Sequence, residues 1–113
     1  MIRYKIGEVI LIPFPFTDFT TFKQRPALII SSGRFNSSSG DIIVAAITSH
    51  LPAKEGFDYI LGAKEQKEAG LPLPSVVKIG KIVTIDKRLI RKHIGMLPKE
   101  TMRRIAKNLK RVL

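Results

Sequence analysis

The chain has 113 residues, no cysteine and no tryptophan, with 44% hydrophobic residues, 26% charged residues and a formal net charge of +11. That length suits one domain around a single core; the missing cysteine excludes a disulfide framework and thiolate chemistry, and no apolar run approaches the roughly 20 residues that span a bilayer. The N-terminus lacks the apolar stretch and cleavage site of a secretion signal, so a cytoplasmic protein with an anionic partner and no membrane contact is expected.

In chain order, residues 8–12 read as a buried strand that Pro13 and Pro15 stop. Residues 13–24 form a loop holding Phe14, Phe16, Phe19 and Phe22, four of the six phenylalanines. Arg25 then stands before Pro26 and an apolar strand over 26–32. A residue ahead of proline is pushed to extended backbone, and Pro26 suits the first position of a strand. Arg25 is thus expected on a fixed backbone where a loop enters a sheet. A guanidinium held there matches two phosphate oxygens at once.

Residues 33–40, with Ser37, Ser38 and Ser39, read as a turn region. Residues 41–48 are continuously apolar and β-branched, a third strand. A short strand follows at 58–61, and two helical turns at 63–69 end at Gly70. Pro72 and Pro74 mark a linker. Residues 75–86 read as a long strand in which Gly80 predicts a bulge. Lys78 and Lys81 therein are three apart and point to opposite faces unless that bulge forms. Residues 93–97 make a last short strand. Over 98–112, Met102, Ile105, Ala106, Leu109 and Val112 recur on one helical face. Five or six short strands and a terminal helix imply a mainly β protein, a small, strongly bent antiparallel barrel.

The charge is uneven. Residues 1–86 hold ten Lys/Arg against eight Asp/Glu, whereas residues 87–113 hold ten against Glu100 alone. Such a tail attracts any polyanion through counterion release. Reaction types are narrowed by what the sequence lacks. There is no glycine-rich phosphate loop, no metal-ligand spacing, and no acidic partner close in sequence to either His50 or His93. A phosphodiester could then be cut without metal if the substrate is RNA, its own 2′-OH attacking the phosphorus. The protein must stabilise the extra negative oxygen and assist proton transfer. If the second and third strands are antiparallel neighbours, Arg25 and Thr48 fall at the same edge of the sheet.

The blocks Gly7-Glu8-Val9-Ile10, Phe14-Pro15-Phe16, Arg25-Pro26-Ala27, Ile47-Thr48-Ser49 and residues 75–87 occur in order across almost the whole chain. Together they resemble the MazF/PemK family of type II toxin–antitoxin toxins. The resemblance implies one domain over residues 1–113, folded as an SH3-like antiparallel barrel of the CcdB/PemK kind with a C-terminal helix. It implies a homodimer and a metal-independent, sequence-specific endoribonuclease acting on single-stranded RNA, without cofactor, with an acidic antitoxin as partner. It puts the catalytic pair on Arg25 and Thr48. RNA contacts are expected from Thr17, Phe19, Phe22, Lys23 and Gln24 of the loop, from Ser49 and His50, and from Lys78 and Lys81. The chain departs from the family pattern at Lys78, Gly80 and Val83, and in the loop over residues 18–24. Two other readings compete. A CcdB-like gyrase poison relies on a tryptophan-bearing C-terminus that this chain lacks. A non-catalytic SH3-like nucleic-acid-binding module would leave Arg25 and Thr48 dispensable.

Overall fold

A computed structural model describes residues 3–13, 24–49 and 56–113. The elements are β1 (Glu8–Pro13), β2 (Gln24–Ile29), α1 (Gly33–Ser38), β3 (Asp41–Thr48), β4 (Tyr59–Ile60), α2 (Ala63–Glu68), β5 (Val76–Asp86), β6 (Lys92–Met96) and α3 (Lys99–Val112), with a 3₁₀ turn at Lys87–Leu89. All strand pairs are antiparallel, in the order β4-β5-β3-β2-β1-β6. The sheet curls into a half-barrel closed by α3.

The apolar runs of β1 and β3 are continuous because both faces of the sheet are covered. Alternate residues belong to two cores. Val9, Leu28, Ala45, Ile47, Val77 and Ile79 pack with Leu97 and Ile105 under α3. Ile10, Ile12, Ala27, Ile29, Val44 and Ala46 pack on the other face with Ile42 and Ile85.

Two expectations change. Residues 33–40 are not merely a turn. Ser32 caps a short helix by accepting from the Phe35 N–H at 3.1 Å. Asn36, 2% exposed, ties that helix down by donating to the carbonyls of Tyr4 and Ser31, both at 3.1 Å. Six residues are too few to display a helical period, so the serines alone were legible. The second strand also begins earlier and ends sooner. Gln24 and Arg25 are already in β2, with Arg25 opposite Ile12, so Pro26 is the third residue and not the first.

Gly80 does mark a bulge. Ala45 pairs with Ile82 but Ala46 pairs with Lys78, which leaves residues 79–81 extra on β5.

Glu65 binds three elements together. Its carboxylate accepts from the Gly62 N–H at the start of α2 at 2.9 Å, from the Tyr59 hydroxyl at 2.7 Å, and from the Thr101 hydroxyl of α3. Burial pushes its carboxyl up, but the hydrogen bonds from Thr101, Gly62 and Tyr59 outweigh that and hold it below its ordinary value of 4.5. Because the folded value is depressed, the stability it contributes is present above pH 4.5 and is lost as pH falls through the folded value. Glu65→Gln should therefore cost about 1 kcal/mol at neutral pH. It should also flatten the decline in melting temperature between pH 5 and 3, measured by circular dichroism.

Candidate active-site cleft

The β2–β3 register builds the site. Ala27 pairs with Ala46. Two residues beyond that pair lie Arg25 on β2 and Thr48 on β3, at the same end of the two antiparallel strands. Arg25 is half-buried and its Nε is shielded from solvent. Thr48, the last residue of β3, is half-buried and Ser49 beyond it is exposed. The three line a cleft of about 300 Å³. Its remaining walls are Leu11, Pro26, Ile47, Ile94 and the segment from Gly70 through Leu71, Pro72 and Leu73 to Ser75.

That segment is held over the sheet end by a close approach of two backbones. Gly70 has φ +72°, a conformation that favours glycine, and a Cβ there would overlap the Ile94 carbonyl. A Cβ on Gly95 would overlap the backbone of Ala69. The sequence marked Gly70 as a helix stop and Pro72 as linker, but gave no signal that the linker crosses the cleft.

The other candidate residues fall elsewhere. Gln24 opens β2, exposed and opposite Pro13. Lys78 and Lys81, brought to one side by the bulge, line a separate pocket of about 460 Å³ with Phe57, Asp58, Gly80, Arg111 and Val112. Lys78 Nζ meets Asp58 Oδ2 at 2.7 Å, and Asp58 also accepts from the Ile79 N–H at 3.2 Å. Asp58 was missed because its partner lies far along the chain. Thr17, Phe19, Phe22, Lys23 and His50 lie outside the described residues. His93 does have an acidic neighbour, Glu8 Oε2 at 3.7 Å across the β1–β6 edge. Among the described residues, no three His, Cys, Asp or Glu side chains converge as a metal site, and no helix is long and apolar enough to cross a membrane.

A bent antiparallel half-barrel with a terminal helix is the architecture of solved MazF structures. MazF of Deinococcus radiodurans superposes with a TM-score of 0.77 at 19% identity, over 99% of this chain and 97% of that one. An endoribonuclease from a mycobacterial species, solved in complex with its cognate antitoxin, gives 0.74 at 21% identity, over 98% and 93%. In sequence, endoribonuclease MazF6 of Mycobacterium tuberculosis is 34% identical over 94 residues, 80% of this chain and 79% of that one. The family described as "PemK-like, MazF-like toxin of type II toxin-antitoxin system" matches residues 5–113. The chain belongs to that family.

Proposed function

We propose that this chain is the toxin of a type II toxin–antitoxin pair, an endoribonuclease that cuts single-stranded messenger RNA at a preferred sequence without a metal ion. The observation that carries the reading is the juxtaposition of Arg25 and Thr48. They stand at the positions where the family resemblance puts a catalytic pair, and both line one cleft at the end of two neighbouring strands. The names of the relatives support the activity.

The chemistry follows from what the cleft offers. The substrate's O2′ attacks the adjacent phosphorus, the O2′–P bond forms and the P–O5′ bond breaks. The 2′-OH loses a proton and the departing O5′ gains one. Negative charge gathers on the non-bridging oxygens of the transition state. The Arg25 guanidinium is a fixed donor for that charge, where it acts far more strongly than in bulk water. The Thr48 hydroxyl hydrogen-bonds the same group and orients it. The products are a 2′,3′-cyclic phosphate and a 5′-hydroxyl.

The protein acts as one domain and as a two-fold homodimer in the cytoplasm, and an acidic antitoxin neutralises it. The basic residues at 87–113 suit both a polyanionic substrate and an acidic inhibitor. The test is incubation of purified protein with a long single-stranded RNA in excess chelator, followed by mapping of the fragment ends. Cuts at a recurrent sequence with cyclic phosphate ends are expected. A strict need for Mg²⁺ or Mn²⁺ would overturn the metal-free mechanism.

A further inference from the structure

We infer that residues 71–75, with Leu73 at the lip, form the wall that receives the base of the nucleotide at the cut and thereby set nucleotide preference; this rests on the endoribonuclease reading above. The lining of the cleft is chemically mixed. Arg25, Thr48 and Ser49 stand at its polar end, while Leu11, Leu71, Pro72, Leu73 and Ile94 make up its apolar part. A nucleotide has the same division, an anionic phosphate beside a base with apolar faces. A cavity of about 300 Å³ suits a single nucleotide, at the small end of ligand pockets.

Leu73 is 55% exposed, so its side chain contributes little to the core and leaves apolar surface open in the cleft. The segment is also fixed in place. The Ser75 hydroxyl donates to the Leu73 carbonyl at 2.8 Å, and the Gln66 side-chain amide donates to the Leu71 carbonyl at 3.2 Å. The Leu71 N–H donates to the Gln66 carbonyl at 3.0 Å. These polar groups are already engaged within the protein. The Leu73 side chain then offers the base shape and apolar contact. Because the segment is held before substrate arrives, little ordering is lost on binding.

The test compares Leu73→Ser and Leu73→Met with the parent, each first shown to melt like the parent. Cleavage kinetics are measured on an oligonucleotide carrying the mapped sequence, and cut sites are mapped on a long RNA. Binding of the same oligonucleotide with a 2′-deoxy substitution at the cut is followed by fluorescence anisotropy. For Leu73→Ser, KM and Kd should rise about tenfold, the scale of lost apolar contact in a substrate pocket. kcat should stay within about twofold, the pattern of lost ground-state binding, and the nucleotides flanking the cut should become more varied. Leu73→Met should stay close to the parent. Unchanged KM, Kd and cut sites for Leu73→Ser, or a loss confined to kcat, would overturn the inference. A parent that binds a long single-stranded RNA but leaves it intact removes the endoribonuclease reading instead, and the wall is then judged by whether Leu73→Ser weakens that binding in anisotropy.

Discussion

Arg25→Ala should lower the rate of RNA cleavage by about 10²–10³ while leaving the fold intact, the usual cost of removing one preorganised donor to a developing anion. The fold should survive because Arg25 sits near the open end of β2, beyond the apolar run Ala27–Ile29 that fills the cores. Single-turnover cleavage separates this loss of chemistry from a loss of binding. Lysine in place of Arg25 keeps the charge but not the planar fork, and should recover only part of the rate. Thr48→Ala should cost less than Arg25→Ala, since a neutral hydroxyl gives weaker stabilisation than a charged donor. A folded Arg25→Ala protein that cuts at the parental rate would remove Arg25 from the chemistry.

Gly95→Ala should destabilise the fold strongly. Its new methyl would overlap backbone atoms of Ala69 and Glu68, which are not the ends of movable side chains. Either β6 or the end of α2 must shift. Overpacking of this kind costs about 3 kcal/mol, and a domain of this size loses about 4–8 °C of melting temperature for each kcal/mol. The fall should be on the order of 15 °C, read by thermal unfolding. The control is Gly80→Ala. A Cβ on Gly80 meets nothing within 4 Å, so this change should stay within about 0.5 kcal/mol. Equal melting temperatures for the two variants would mean that the backbone approach between α2 and β6 is not a constraint. Because the same approach carries residues 71–75 over the sheet end, Gly95→Ala should also raise KM for RNA.

Much of this was legible in the chain because local chemistry decided it. The continuous β-branched runs of β1 and β3, the interrupting Gly80 and the apolar period of α3 each announced their element. Gly70 announced the end of α2. That Arg25 and Thr48 fall at the same edge of the sheet followed from one assumption, that β2 and β3 are antiparallel neighbours, and the register Ala27↔Ala46 satisfies it. What escaped was non-local or too short to repeat. Residues 33–38 make fewer than two turns, and their helix is specified by Ser32 and by the contacts of Asn36 rather than by a pattern. Nothing local to Glu65 signals its role, because its partner Thr101 stands 36 residues away. The pairing of Lys78 with Asp58, 20 residues apart, was hidden for the same reason. Pro72 and Leu73 read as linker since nothing in sequence says which surface a linker crosses.

The claim on which all of this turns is that the cleft acts on RNA through the substrate's own 2′-OH. The direct measurement uses a short single-stranded oligonucleotide carrying the mapped cut sequence, with the 2′-OH at the scissile nucleotide replaced by hydrogen. It is incubated with the protein in excess chelator beside the all-ribose parent. The parent should be cut to a cyclic phosphate and a 5′-hydroxyl, and the substituted strand should bind yet remain whole. Cleavage of the substituted strand at the same position would contradict the assignment, because the attacking oxygen would then have to come from water.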